Sequence, residues 1–117
     1  MGYTHYYSNK RAFTDSEWKQ FTEQVKNLLE TTEIPVAGPL GHYSTCPVYT
    51  DEHIFFNGLE EDSHETAAMR KEAMEFDFCK TAMKPYDSLV VKMYQIAKDI
   101  LGDGIELDSD GGQEVFR

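Results

Sequence analysis

The segment from Thr14 to Leu29 limits the possible folds of this chain most strictly, because it carries several independent signals of a helix start. Thr14 is a favoured N-cap residue, and Glu17 follows it at the spacing of a capping box. Phe13 and Trp18 have the spacing of a hydrophobic staple across the same start. Apolar residues then recur on one helical face: Trp18, Phe21, Val25, Leu28 and Leu29. These signals predict an amphipathic helix over residues 15–31.

A second helix is predicted over residues 85–101. Pro85 suits the first helical position and Gly102 suits the C-terminal cap. Between these ends runs an apolar stripe at helical spacing: Leu89, Met93, Ile96, Ala97 and Ile100. The chain therefore contains two amphipathic helices, one near each end.

Most of the remaining segments have the residue types of strands. Tyr3 to Ser8 is rich in aromatic and β-branched residues, and Ile105 to Ser109 alternates like a short edge strand. Cys46 to Gly58 is predicted to form hairpin pieces, with one turn at Thr50–Glu52 and a sharp turn at Asn57–Gly58.

The middle of the chain is less uniform. Two prolines and a glycine make Ile34 to Leu40 a loop or an edge segment. After an acidic turn at Glu60–Asp62, the segments His64–Met69 and Glu75–Lys80 fit strands. The intervening ETAAMRKEAM, Glu65 to Met74, fits two helical turns equally well. The order of elements predicts an α+β fold, an antiparallel sheet with two helices packed on one face.

Length and charge narrow the classes of function. A chain of 117 residues is expected to form a single α+β domain over residues 1–117. The net charge of −10 disfavours direct binding to nucleic acid, and it suits a basic protein partner. We find no apolar run of membrane-spanning length and no secretion signal, so a cytoplasmic location is expected. Cys46 and Cys79 lack the spacing of a zinc site, and reduced thiols are expected.

The segment FDFCKTAMKPYD, Phe76 to Asp87, concentrates polar side chains before the second helix. If Phe76 and Phe78 point into the core, alternation places Asp77 and Cys79 on the opposite face of the strand. Lysines 80 and 84, a threonine at 81 and the amides of a helix N-terminus would then form a cradle for a phosphate or carboxylate. A purely structural interpretation stays open, in which Asp87 complements the helix dipole, Cys79 is a small buried hydrophobe and the lysines are solvated.

The histidines carry no recognisable catalytic or metal-binding pattern. His64 and Glu65 are adjacent, so on a strand they face opposite sides and would not easily form an acid–base pair. The histidine spacings that indicate a metal are missing, and no phosphate-binding glycine loop, dinucleotide motif or serine elbow is present. We therefore assign no catalytic residue, no metal ligand and no cofactor.

Several short motifs resemble those of a family of small phage and prophage proteins. They are MGYTHY (Met1–Tyr6), FNG (Phe56–Gly58), HET (His64–Thr66), FDFCKT with KPYD (Phe76–Asp87) and SDG (Ser109–Gly111). The chain departs from the family pattern at Met83, where an arginine is expected, and at Ala67, where an aromatic residue is expected. The resemblance implies a polar site built from the motif residues. The candidate ligand-binding residues are Tyr3, His5, Asn57, His64, Lys80, Thr81, Lys84, Tyr86 and Asp87.

Together these observations predict a non-enzymatic phage accessory protein that counters host defence by binding, in the cytoplasm of the host cell. It would either sequester a small anionic or nucleotide ligand, or occupy the basic nucleic-acid-binding surface of a defence protein. Two alternatives stay open. One is a small hydrolase or transferase for a nucleotide-like substrate, with His64 or His5 as the base and Glu65 or Asp87 nearby. The other is a virion structural subunit that forms homo-oligomers.

Overall fold

The computed structural model describes residues 3–116, which form an α+β fold as predicted from the sequence. Met1 and Gly2 of the MGYTHY motif lie outside the described residues. The elements lie in the following order: β1 (Thr4–Asn9), α1 (Asp15–Thr31), β2 (Val36–Ala37), β3 (Val48–Tyr49), β4 (His53–Gly58), β5 (Ala67–Arg70), β6 (Met74–Lys80), α2 (Asp87–Leu101) and β7 (Ile105–Ser109).

The strands form two antiparallel sheets, whereas the sequence predicted one. In the first sheet β1 is central, with β6 on one side and β7 on the other. In the second sheet β4 is central and pairs with β2, β3 and β5. The strands β2 and β3 have two residues each, and both pair with β4.

Helix α1 has the start that its sequence predicts. The Thr14 hydroxyl accepts a hydrogen bond from the Glu17 amide, and the Glu17 carboxylate accepts one from the Thr14 amide. The rings of Phe13 and Trp18 meet edge to face, with 5.1 Å between their centroids. Trp18 Nε1 also donates to the carbonyl of Thr50, which ties α1 to the second sheet.

Helix α2 begins at Asp87 rather than at Pro85, because Thr81 to Tyr86 forms turns that precede the helix. The helix ends as predicted, at Gly102 with a φ of 55°. α2 packs against β1 and β7 of the first sheet and against α1. A single connected core joins the helices to both sheets, with Phe21, Ile54 and Met93 among its fully buried members.

Several strand predictions are confirmed and one is wrong. The hairpin of β3 and β4 turns at Thr50–Glu52, and β7 is an edge strand. Residues 64–75 contain strand β5 and no helix. Asn57 and Gly58, predicted as a sharp turn, are the last two residues of β4 and pair with Ala37 and Val36 of β2. The chain turns after them, at Glu60–Asp62.

The core lies on the Cys79 side of β6. Phe76 and Phe78 are 57% and 41% exposed, whereas Cys79 is fully buried. The condition that the two phenylalanines point into the core is therefore not met, and the structure agrees with the interpretation in which Cys79 is a small buried hydrophobe. Residues of α2 share the core with Cys79, whereas the phenylalanines lie on the opposite face of the strand.

Candidate functional site

His5 is the centre of a buried polar network at the FDFCKTAMKPYD segment. Its imidazole is fully buried, with Nε2 2.6 Å from Asp87 Oδ1 and Nδ1 2.8 Å from Ser109 Oγ. A carboxylate only accepts hydrogen bonds, so Nε2 donates to Asp87, and in the neutral ring Nδ1 accepts from the Ser109 hydroxyl. The network thus links the start of α2 to strands β1 and β7.

Thr81 completes the same network. Its hydroxyl is buried and donates to the Asp87 carboxylate, while its amide donates to the carbonyl of Tyr3 at 2.9 Å. Partial burial by itself would raise the pKa of Asp87, but the hydrogen bonds from His5 and Thr81 outweigh it, so this pKa lies below its ordinary value. Asp87 is therefore an ionised carboxylate whose hydrogen-bond partners lie within the protein.

The order carboxylate, imidazole and hydroxyl is that of an acyl-transfer triad, but the geometry closes the site. Tyr3 and Phe116 flank the His5 ring, with centroid distances of 5.1 and 6.0 Å. Ser109 is only 8% exposed, and its Oγ already accepts a hydrogen bond of 3.0 Å from the amide of Gly111. The hydroxyl is therefore not presented to a substrate, and the arrangement ties chain segments together.

The two lysines of the predicted anion cradle do not converge. Lys80 lies on the exposed face of β6, where its Nζ is 5.7 Å from the centroid of the Phe78 ring. Lys84 Nζ donates to the carbonyl of Glu61 at 3.1 Å. Thr81 points into the buried network instead, and the carboxylate of Asp87 lies at the N-terminus of α2. These residues surround the start of α2 from different sides and do not form one pocket.

The other predicted site residues have structural contacts. Asn57 is buried, and its side chain bonds the carbonyl of Pro39 and both backbone groups of His64. The residue His64 is exposed. Tyr86 is fully buried, and its hydroxyl donates to the Glu65 carbonyl at 2.6 Å. Cys79 packs beside it, and burial raises the pKa of this thiol to about 12, so it is a poor nucleophile.

Sequence reasoning missed the exposed face of the first sheet, which we call the outer face. It consists of every second residue of the three strands: Tyr6, Ser8, Phe76, Phe78, Lys80, Glu106 and Asp108. The Tyr6, Phe76 and Phe78 side chains form an aromatic strip, in which Tyr6 and Phe76 are stacked with 5.7 Å between centroids. The period-two pattern could have grouped these residues, but it does not tell which face is covered.

Carboxylates border the aromatic strip along β7. Asp108 is paired in register with Tyr6, and Glu106 is paired with Ser8. Together with Phe76 and Lys98, these residues line an open groove of about 820 Å³. The Tyr6 hydroxyl donates to Asp110 at 3.0 Å, and this hydrogen bond raises the pKa of the tyrosine. The outer face thus combines exposed aromatic surface with exposed negative charge.

The described residues contain neither a cluster of metal-binding side chains nor a membrane-spanning helix. Within residues 3–116, we find no cluster of three or more histidine, cysteine or carboxylate side chains that could hold a metal ion. In the same range, no helix has the length and apolar character needed to cross a membrane. Comparison with known proteins found no matching family model, no matching curated protein and no matching solved structure.

Proposed function

We propose that this protein is a binding protein that docks its outer face on a cationic surface of another protein. The observation that carries the proposal is the exposure of Phe76 and Phe78, at 57% and 41%, beside the carboxylates of β7. Large aromatic side chains in contact with water are unfavourable unless a partner covers them, and aromatic residues are enriched at protein interfaces.

The charge of the chain favours a basic partner. A net charge of −10 on 117 residues attracts cationic surfaces over distances comparable to the Debye length, which is about 8 Å at physiological ionic strength. Such attraction raises the rate of encounter and excludes acidic partners. The aromatic strip then supplies the short-range contacts.

Nucleic acid is a less suitable ligand for the outer face than protein. Aromatic side chains on a sheet can stack on bases, but single-strand binders combine such rings with a positively charged groove. Here the groove beside Tyr6 is lined by two carboxylates, Glu106 and Asp108, and by one lysine, Lys98. The lysine ammonium donates to two backbone carbonyls, so the net charge of the lining is negative and repels phosphates. A small anion is also less suitable, because the lysines at 80 and 84 do not form a common cradle.

The resemblance to phage and prophage proteins suggests a biological role for this binding. In our proposal, the protein acts in the host cytoplasm and counters host defence by occupying the basic nucleic-acid-binding surface of a defence protein. Its carboxylates would take the places that phosphates take in the partner's own ligand.

An array of purified nucleic-acid-binding proteins tests the proposal. We expect the immobilised chain to retain a basic member of the array at physiological salt, and double-stranded DNA to displace it. Replacing Phe76 and Phe78 by serine should weaken retention about tenfold, because both rings would lie in the interface. The control is Tyr43→Ser, which removes an aromatic ring that is 80% exposed and lies outside the sheets. Retention of no basic protein, or equal retention by all variants, would contradict the proposal.

A further inference from the structure

We infer that the groove beside Tyr6 is a binding subsite for an arginine side chain of the partner protein. The inference rests on the proposed function and specifies the chemistry of the contact. It follows from the combination of an aromatic platform, two adjacent carboxylates and a cation that the chain itself already places on the strip.

The aromatic platform consists of Tyr6 and Phe76. Their rings are stacked, inclined by 28° to each other with 5.7 Å between centroids, and Phe76 is 57% exposed, so its ring stays accessible to a ligand. A guanidinium group is planar and weakly hydrated, and it stacks on aromatic faces. The exposed ring of Phe76 therefore suits an arginine side chain.

The carboxylates lie at the edge of this platform. Asp108 is directly across from Tyr6 in the strand register, and its Oδ1 accepts a hydrogen bond from the Ser109 amide at 2.8 Å. That bond orients the carboxylate within its own strand. Glu106 lies two residues earlier and contacts Lys10 at 2.7 Å in an exposed ion pair. Exposed ion pairs of this kind are weak, so an incoming guanidinium can compete for Glu106.

At Phe78, the far end of the aromatic strip, a cation of the chain itself lies over an aromatic ring. Lys80 Nζ lies over the ring of Phe78 at 5.7 Å from its centroid, although Lys80 is exposed and free to point into solvent. A cation is thus already placed beside one ring of the strip, close to the Glu65 carboxylate, whose Oε1 accepts a hydrogen bond from the Lys80 amide at 3.1 Å. At the Tyr6 end, where carboxylates add charge and hydrogen-bond acceptors, arginine can both stack and form paired hydrogen bonds, whereas lysine provides only a point charge.

Titration of the full chain with two synthetic peptides tests the subsite by NMR. The peptides have the same length and charge, one built on arginine and glycine and the other on lysine and glycine. We expect the arginine peptide to shift the backbone amides of Tyr6, Ser8 and Asp108 and to bind about fivefold more tightly than the lysine peptide. Asp108→Asn should weaken arginine binding about fivefold, because one carboxylate is lost from the groove.

The matched control is Asp99→Asn, which changes the net charge by the same amount at an exposed position of α2. Equal weakening by both variants, equal affinity for both peptides, or shifts that avoid the outer face would overturn the subsite. An oligothymidylate that shifts the same amides would also overturn it, in favour of nucleic acid. If the protein array still shows binding that depends on Phe76 and Phe78 while Asp108→Asn has no effect, the subsite is wrong and the proposed function stands.

Discussion

The imidazole of His5 connects parts of the chain that are far apart in sequence. Asp87 is 82 residues away and Ser109 is 104 residues away, yet both are in hydrogen-bond contact with the same ring. A buried polar group without partners would cost about 1–3 kcal/mol, so the complete pairing of this ring is a condition of its burial. At the scale of single residues, His5 is a structural tie between β1, β7 and α2.

Replacing Asp87 by asparagine tests this role. We expect the free energy of unfolding at neutral pH to fall by about 1.5–3 kcal/mol, the range of hydrogen bonds to charged groups. The pKa of Asp87 is lower in the folded protein than in the unfolded chain, so its stabilising contribution is present above the unfolded pKa and is lost as the pH falls through the folded value. The difference between wild type and variant should therefore shrink on acidification.

Urea denaturation at a series of pH values measures this difference. Asp99→Asn serves as the control, because it removes an exposed carboxylate from the same helix. If the two variants have equal stability at neutral pH, or if the deficit of Asp87→Asn does not depend on pH, the ionised carboxylate is not what stabilises the network.

The turn between β6 and α2 is the element that aims Thr81 into the network. The amide of Lys84 donates to the Thr81 carbonyl at 3.0 Å, and the two residues between them, Ala82 and Met83, have φ values of 52° and 57°. Two successive positive φ values are typical of turns built from glycine or asparagine. Here they occur in residues with a Cβ, so the turn is strained. Met83 is 71% exposed in this turn.

Replacing Ala82 by glycine should relieve part of this strain. A left-handed conformation costs about 1–2 kcal/mol in a residue other than glycine, and the added freedom of the unfolded chain costs about 0.5–1 kcal/mol. We expect a net stabilisation of up to about 1 kcal/mol, measured by chemical denaturation. The control Ala73→Gly, at an exposed position without a positive φ, should be destabilising instead. Equal effects of both substitutions would show that the turn is not strained.

At the scale of the whole molecule, one core joins two separate sheets. Ile54 of β4 and Tyr7 of β1 belong to the same cluster as Met93 of α2, and Trp18 of α1 contacts the second sheet through Thr50. We expect the chain to unfold in one cooperative transition, because neither sheet has a core of its own. Fluorescence of the single tryptophan should report on the second sheet, and far-ultraviolet circular dichroism on the whole fold.

Coincidence of the two denaturation curves measures this cooperativity. Ile54→Ala and Met93→Ala should each lower the free energy of unfolding by about 2–5 kcal/mol and shift both curves together. A variant that moves the fluorescence curve while leaving the circular dichroism curve in place would show that the sheets unfold independently.

Local interactions explain why the sequence predicts the helices and most strands. The capping box and staple of α1 involve residues three to five positions apart, and Gly102 ends α2 through its own backbone conformation. Such signals do not depend on the rest of the fold. The turn at residues 81–84 has no such local signal, because Ala82 and Met83 are not typical turn residues. Contacts with the surrounding structure impose its conformation.

The sequence by itself determined the two amphipathic helices, the α+β class and the acidic net charge. Only the tertiary structure decided which side of β6 is buried, because alternation defines two faces and the position of the helices selects one. It likewise decided that His5 meets Asp87 and Ser109, while Lys80 contacts the Phe78 ring and Lys84 the carbonyl of Glu61. His5 and its two partners are separated by 82 and 104 positions in the sequence. Contacts over such separations depend on how the strands pair, and no local pattern in the sequence encodes that pairing.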